Sequence, residues 1–145
     1  MCHKAAERSL SEGLLPEAVA RNAIGEEALA SPPVLPAVPK VRPDITFEEE
    51  YDLDAYGIRG RIISTPGHSE GSTAIILENG EAIVGDTVAR PQSGDEVVIA
   101  FLADDVPALK RTVEMLLSRV DLFYSGHGGP YTRREVKAAY EKDSL

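Results

Sequence analysis

The segment Thr65-Pro66-Gly67-His68-Ser69-Glu70-Gly71-Ser72 places a histidine among small, turn-forming residues directly after a predicted strand, Ile58 to Thr65. Two later segments share this arrangement: Gly85-Asp86-Thr87, and Ser125-Gly126-His127-Gly128-Gly129-Pro130. Glycine lets a backbone approach a ligand closely. We therefore predict that His68, Asp86 and His127 lie in loops just past strand ends, and that these loops gather at one edge of a sheet.

These three side chains have metal-binding chemistry, because neutral imidazole and carboxylate are ligand types that zinc accepts. A catalytic zinc normally has three protein ligands, and a two-metal site has more. The chain offers only one other histidine, His3, and no His-x-His pair. His3 is a further candidate ligand, although a surface or packing role is commoner for a single histidine. The sequence thus predicts a metal site that it completes only in part.

The N-terminal part of the chain, residues 1–30, is predicted to be helical because Ala, Glu and Leu dominate it. A first helix is expected from His3 to Glu12, ended by Gly13, and a second from Glu17 to Ala30. Residues 31–44 contain five prolines. Neither a helix interior nor a central strand tolerates that spacing, so this segment is predicted to be an extended connector.

From residue 45 to residue 145 the patterns favour a sheet followed by two helices. Short edge strands are expected over Ile45–Glu50 and Tyr51–Tyr56, and another strand over Val97–Leu102. Asn79-Gly80 separates two apolar runs, Thr73–Leu77 and Ala82–Val84, and predicts a hairpin with a type I′ turn. Asp104 or Asp105 can cap a helix whose apolar face runs from Val106 to Val120. A strand is then expected over Asp121–Ser125, and Thr132 with Glu135 predicts a capping box on a last helix that ends near Lys142. The fold class is therefore α/β, in a single domain.

Composition excludes some partners. The chain of 145 residues has a formal net charge of −9. Nucleic acid and anionic membrane surfaces both require a basic face, so neither is expected as a partner. The single cysteine, Cys2, cannot form an internal disulfide, and no apolar run approaches the roughly 20 residues of a membrane helix. We expect a cytoplasmic protein, with a small molecule as its possible substrate.

The three glycine-rich segments resemble the third, fourth and fifth signatures of the metallo-β-lactamase fold. Their order and the intervening hairpin also match, so that the resemblance covers about Ile58 to Glu141. Residues 1–57 look like the variable middle of the glyoxalase II-like hydrolases of that family. The resemblance implies a partial αββα sandwich, in which a mainly antiparallel or mixed sheet is flanked by helices. It also implies that residues 1–145 form a single truncated domain of the metallo-β-lactamase type.

The resemblance also implies roles for individual residues. His68 would bind a first metal, Asp86 would bridge two metals, and His127 would bind the second. The ion would be zinc, one or two per site, with iron or manganese as alternatives. In the family, water activated by the metal attacks an ester, thioester, amide or phosphodiester. The family's principal signature, His-x-His-x-Asp-His, is absent from residues 1–145 and is expected upstream of residue 1.

Two classes of function stay open at this point. The first is a metal-dependent hydrolase domain whose incomplete site is completed by another chain. The second is a non-catalytic metal-binding or scaffolding remnant that acts through self-association or a partner chain. Half of a sandwich would expose the sheet face that the other half covers, so we also expect a homodimer. That face is predicted to carry apolar side chains: Ile62, Ile75, Leu77, Ile83 and Val98.

Two other chemistries are not favoured. Ser69, Ser72 and Thr87 lie near the predicted site, but no third group is available to orient a histidine as the base of a triad. Cys2 lies at the start of the sequence with only His3 and Lys4 as basic neighbours. A catalytic thiol is therefore not expected.

Overall fold

The computed structural model describes residues 1–15, 18–30, 37–91, 94–143 and 145. Within them the chain forms a large sheet, a small sheet and helices, with these bounds: β1 Cys2–His3, α1 Glu7–Glu12, α2 Ala23–Ala30, β2 Thr46–Phe47, β3 Glu50–Asp52, β4 Gly60–Ser64, β5 Thr73–Leu77, β6 Glu81–Ala89, β7 Val98–Ile99, α3 Val106–Arg119, β8 Leu122–His127, β9 Tyr131–Thr132 and α4 Arg133–Lys142. Short 3-10 turns cover Lys4–Ala6 and Asp54–Tyr56. The predicted α/β class is correct.

The large sheet has the strand order β3-β4-β5-β6-β8-β9, and β7 pairs with β6. Neighbouring strands are antiparallel except for β6 and β8, which are parallel. Since β4 and β6 are both antiparallel to β5, the strands β4, β6 and β8 all run in the same direction. Their C-terminal ends therefore meet at the same edge of the sheet.

Helices α3 and α4 cover one face of this sheet. The apolar side of α3 is buried against strand residues of that face, and α4 contributes Val136 and Ala139 to the same core. The predicted face of α3 is correct at its centre, where Leu109, Val113 and Leu116 are almost inaccessible to solvent. On the sheet side the core is formed by alternate strand residues, among them Ile63, Ala74, Ala82 and Phe123.

The opposite face of the sheet carries a row of apolar and aromatic side chains that we call the outer row. It crosses five strands in register: Tyr51, Ile62, Ile75, Ile83 and Tyr124. Ile83 is 51% exposed and Tyr124 is 38% exposed. Three of the residues predicted for an exposed apolar face, Ile62, Ile75 and Ile83, lie in this row.

Local helix signals predicted the ends of several elements correctly. Gly13 ends α1 in the left-handed conformation, with φ 67°. The Asp105 carboxylate caps α3 by accepting from the backbone N–H of Ala108 (2.8 Å). Thr132 and Glu135 form the capping box of α4, with both reciprocal hydrogen bonds present. Each of these signals depends on residues close in sequence, so tertiary contacts do not override it.

Other predicted elements were too long. The second helix begins at Ala23 instead of Glu17, because Ala20 forms an antiparallel bridge with Leu102; residues 16 and 17 lie outside the described part. The predicted strand Tyr51–Tyr56 ends at Asp52, where the carboxylate accepts from the N–H of Asp54 and starts a 3-10 turn. The predicted strand Val97–Leu102 retains regular pairing only at Val98–Ile99.

The hairpin between β5 and β6 is present, but its predicted turn type was wrong. A type I′ turn requires positive φ at both central residues. Asn79 does not have positive φ, whereas Gly80 has φ 84°. The carbonyl of Leu77 accepts from the N–H of Gly80 (3.2 Å), so the loop has three residues with the left-handed glycine last.

The N-terminal segments lie along the rest of the domain. Strand β1 pairs in parallel with β2, and the N–H of Val41 donates to the carbonyl of Leu10 (2.8 Å). Of the proline-rich segment predicted as a connector, residues 31–36 lie outside the described part, and residues 37–44 have no regular secondary structure. No helix in the described part of the chain is long and apolar enough to cross a membrane.

Candidate metal centre

The three candidate ligands lie at the sheet edge where β4, β6 and β8 end. His68 lies in the loop after β4, as the sequence predicted. Asp86 does not lie in a loop: β6 continues to Ala89, and Asp86 is a residue of that strand. His127 is the last residue of β8. The prediction of strand-end loops was wrong for these two residues. Gly85, with φ 55°, bends β6 and shifts its register against β8 without ending it, so Asp86 stays in the strand. His127 pairs with Ala89 of β6, so β8 extends to include it.

The Asp86 carboxylate lies between the two imidazoles. Its Oδ2 atom is 3.8 Å from Nε2 of His68 and 3.7 Å from Nε2 of His127. The side chains of His68 and Asp86 are partly buried, with 28% and 39% exposed, and that of His127 is 64% exposed. Three groups that are distant in sequence therefore point their donor atoms toward one another at an open rim.

The loop that carries His68 is fixed by contacts with α3. The carbonyl of Gly67 accepts from the N–H of Asp105 (3.2 Å), and the carbonyl of Pro66 accepts from the Thr112 hydroxyl (2.8 Å). Gly67 has φ 134°, and a Cβ there would lie 2.4 Å from the backbone of Leu109. Only glycine lets the loop lie this close to the helix. Contacts with α3 thereby determine the position of His68 after strand β4.

A hydrogen bond to the backbone orients the His68 ring. Nδ1 of His68 is 2.9 Å from the carbonyl oxygen of Leu102. Since a carbonyl only accepts, Nδ1 carries the hydrogen of the neutral ring, and the lone pair of Nε2 is directed toward Asp86. This is the arrangement by which metal-bound histidines are oriented in proteins.

The backbone of His127 is held by three hydrogen bonds even though its side chain is exposed. Its N–H donates to the Ser125 hydroxyl (3.0 Å), and its carbonyl accepts from the N–H of Arg90 (3.0 Å) and from the Tyr131 hydroxyl (2.8 Å). The Ser125 hydroxyl in turn donates to the carbonyl of Val88, which ties β8 to β6. Sequence reasoning missed Ser125 and Tyr131, although a serine two residues before the histidine was visible.

A small cavity of about 60 Å³ opens beside the three groups. Besides the candidate ligands, it is lined by apolar residues that sequence reasoning did not assign to the site: Ala89, Ala100, Phe101 and Leu102. These residues come from the end of β6 and from the segment after β7. The floor of the site is therefore apolar, and its polar groups are the two imidazoles and the carboxylate.

The remaining candidates lie elsewhere or pair with one another. Nε2 of His3 is 2.7 Å from the carbonyl of Glu48, and its Nδ1 accepts from the N–H of Ala5, so both ring nitrogens are engaged away from Asp86. These contacts agree with the packing role that was favoured for His3 over the role of an additional ligand. The hydroxyls of Ser69 and Ser72 bond to each other (2.9 Å) and hold the His68 loop.

The donor set suits a metal ion but does not enclose one. Zinc lies about 2.0–2.2 Å from nitrogen and oxygen ligands, so two ligands of one ion are at most about 4.4 Å apart. The separations of 3.7 and 3.8 Å satisfy this limit. Yet within the described residues no group of three or more His, Cys, Asp or Glu side chains is arranged to hold a metal ion by itself. The chemistry of the three side chains fits a metal, but their arrangement does not make a complete metal site.

Solved structures resemble this chain, whereas no family profile and no curated protein matches its sequence. A metallo-β-lactamase family protein from Thermus thermophilus matches 98% of this chain with 20% identity and a TM-score of 0.58. An archaeal metallo-β-lactamase superfamily protein from Sulfolobus tokodaii matches 97% of it with 16% identity and a TM-score of 0.54. This chain is part of a metallo-β-lactamase fold.

The part is about half of that fold. The chain spans 50% and 52% of the lengths of those two proteins. A third match, TTHA1623, was solved in a di-iron-bound form. It shares 27% identity over 70% of this chain, with a TM-score of 0.51, and this chain spans half of it. The first two matches include nearly all of this chain.

Proposed function

We propose that this chain is a metal-dependent hydrolase-family domain whose metal site is incomplete and is completed by ligands from outside residues 1–145. His68, Asp86 and His127 are the ligands that this chain contributes. The single observation that carries the proposal is the position of the Asp86 carboxylate, 3.8 and 3.7 Å from two imidazole nitrogens at one sheet edge. The similarity to solved metallo-β-lactamase structures supports the proposal that the domain belongs to this hydrolase family.

Each of the three residues has a distinct task in this proposal. His68 presents Nε2 because its Nδ1 is committed to Leu102. The Asp86 carboxylate lies between the imidazoles and would bind an ion next to either of them. His127 supplies a ligand at the solvent side of the rim, where a substrate enters. A metal bound here would lower the pKa of a coordinated water and polarise the scissile group of an ester, thioester or phosphodiester.

The ion is proposed to be zinc, with iron or manganese as alternatives. Imidazole suits zinc and iron, and carboxylate suits manganese, so the donor set admits all of them. TTHA1623 was solved in a di-iron-bound form. Iron is for that reason included among the metals to be tested.

A hydrolysis assay tests the proposal. The purified chain is given thioester, phosphodiester and β-lactam substrates with added zinc, iron(II) or manganese, alone and with a protein that carries the missing His-x-His-x-Asp-His signature. We expect turnover only in the completed mixture, and we expect Asp86→Asn to abolish it. Turnover that is equal in wild type and Asp86→Asn would contradict the proposal.

One observation favours a second candidate function. The described residues contain no metal-binding group of three or more ligands. That absence fits a metal-binding or scaffolding subunit without catalysis. Metal binding that depends on His68 and His127, with no turnover in any completed mixture, would support this candidate over the hydrolase.

We further propose that a second copy of the chain covers the outer row and forms a homodimer. The row extends across five strands and contains no charged residue. Faces of this kind on soluble proteins mark interaction sites. A symmetric pair would bring the two outer rows against each other, since a two-fold interface joins the same patch of both subunits.

A further inference from the structure

We propose that Arg21 is a positioning residue for His68, and that it acts through the backbone of residues 99–102. This inference deepens the proposed function and rests on it, because it concerns how one candidate metal ligand is oriented. Arg21 lies outside the glycine-rich segments and outside the cavity. It is connected to the site through hydrogen bonds to the backbone of the segment after β7.

The orientation of the His68 ring depends on the carbonyl of Leu102. The hydrogen bond from Nδ1 to the Leu102 carbonyl decides which ring nitrogen keeps its lone pair toward Asp86. Leu102 is not part of a regular strand, because β7 ends at Ile99. The position of its carbonyl therefore depends on what else holds the segment after β7.

Arg21 donates hydrogen bonds to three consecutive carbonyls of that segment. Its backbone N–H donates to Phe101 (3.1 Å), and its guanidinium donates to the carbonyls of Ala100 and Ile99, the latter at 3.2 Å. Ala20, next to it, bridges to Leu102 itself. A shift of Arg21 would thus move the backbone that carries the acceptor for His68.

Arg21 is itself fixed by a buried ion pair. Its guanidinium makes two hydrogen bonds to the Asp143 carboxylate at the end of α4, one of them at 2.7 Å. The side chains of Arg21 and Asp143 are only 7% and 13% exposed. A bidentate pair of this kind fixes the plane of the guanidinium, which lysine cannot reproduce because its ammonium is a point charge.

The test compares Arg21→Lys with a matched control, Arg133→Lys. Arg133 also joins a carbonyl, that of Val120 (2.7 Å), to a carboxylate, that of Asp121 (3.0 Å), but it belongs to α4 and does not contact the cavity. Asp143→Asn is a second variant that keeps the arginine and its bonds to carbonyls. All assays are run where circular dichroism shows each variant to be folded.

The first readout needs no metal. Long-range 1H–15N NMR at one alkaline pH reports which nitrogen of His68 carries the hydrogen. We expect Nδ1–H in wild type and in Arg133→Lys, and a mixture of both tautomers in Arg21→Lys. The second readout is zinc affinity by competition with a chromophoric chelator, which we expect to fall about 10-fold or more in Arg21→Lys, as for other residues that orient a metal ligand. Asp143→Asn should fall between wild type and Arg21→Lys.

Two outcomes distinguish the positioning role of Arg21 from the proposed metal-dependent function. If folded Arg21→Lys keeps the wild-type tautomer and an affinity equal to that of Arg133→Lys, Arg21 has only a structural role and the inference is overturned. If wild type binds no zinc but the tautomer still changes in Arg21→Lys, the positioning role holds while the proposed function fails.

Discussion

Gly126 and Asp86 lie so close together that a Cβ atom on Gly126 would be 2.3 Å from Oδ1 of the Asp86 carboxylate. The strands β6 and β8, which carry them, are parallel neighbours, and both end at the site. The missing side chain of Gly126 is therefore what leaves room for the carboxylate between the two imidazoles. The glycine before His127 serves Asp86 as much as it serves His127.

Gly126→Ala is expected to displace the Asp86 carboxylate with little effect on folding. The atom in conflict is the end of a side chain, and Gly126 does not have positive φ, so the backbone can stay in place. We expect unfolding free energy to change by no more than about 1 kcal/mol, and metal affinity to fall about 10-fold or more, as when a ligand's surroundings are altered. Urea unfolding and isothermal titration with zinc measure the two effects.

Gly94→Ala is the control for that substitution, because a Cβ at Gly94 would have no atom within 4 Å. It should change neither quantity. Unchanged zinc affinity in Gly126→Ala would show that the position of Asp86 does not matter for binding.

Gly67→Ala is expected to act on folding itself. The added Cβ would lie 2.4 Å from the backbone of Leu109, and φ at Gly67 is 134°. A side chain there combines overpacking with backbone strain, which together cost about 3 kcal/mol or more. Urea unfolding measures this cost against Gly94→Ala, and a loss below about 1 kcal/mol would mean that the loop can leave α3 freely.

Ile83→Lys tests the proposed homodimer at the centre of the outer row. Ile83 is 51% exposed, so lysine fits the isolated subunit and should change its stability by about 1 kcal/mol or less. In a dimer it would place two ammonium groups in an apolar interface. Light scattering should therefore find a dimer for wild type and a monomer for Ile83→Lys.

Ile58→Lys is the matched control, since Ile58 is 44% exposed and precedes β4 outside the outer row. It should remain dimeric. A wild-type monomer at micromolar concentration, or a dimer that survives Ile83→Lys, would remove the outer row as the interface.

The capping box of α4 predicts a pH-dependent contribution to stability. Hydrogen bonds from the hydroxyl and then the backbone N–H of Thr132 lower the pKa of the Glu135 carboxyl below its usual value. A carboxyl whose pKa is lower in the folded state stabilises the fold above its unfolded pKa of about 4.3, and this contribution is lost as pH falls through the folded pKa. The stability difference between wild type and Glu135→Gln should thus be largest near neutral pH and shrink on acidification.

Urea unfolding at several pH values follows that difference, with Glu141→Gln in the same helix as the comparison. Thr132→Ala should lower stability by about 1 kcal/mol at neutral pH, because it removes the N-cap. A Glu135→Gln difference that grows toward acid pH would contradict the direction of the pKa shift.

Sequence reasoning predicted what depends on local patterns. The cap at Asp105, the capping box at Thr132 and the three site segments all contain their own signal within a few residues. The same is true of the strand Thr73–Leu77, whose bounds were correct. The gathering of His68, Asp86 and His127 followed from strand ends that share one edge.

The rest depends on contacts between distant residues. Glycine at position 85 suggested the end of a strand, yet pairing with β8 carries β6 on to Ala89. The helix predicted from Glu17 is shortened by the bridge between Ala20 and Leu102, a partner 82 positions away. Arg21 was missed because its ion-pair partner, Asp143, is 122 residues away, and no local pattern links them.

Zinc titration of the metal-free chain asks whether His68 and His127 bind a metal, with His68→Ala and His127→Ala as site variants and His3→Ala as the control. We expect wild type and His3→Ala to bind zinc alike, and each site variant to bind it at least about 10-fold more weakly, because a ligand is lost from a site that has few. Equal zinc binding by all four proteins, or none by wild type, would show that His68 and His127 do not form a metal site.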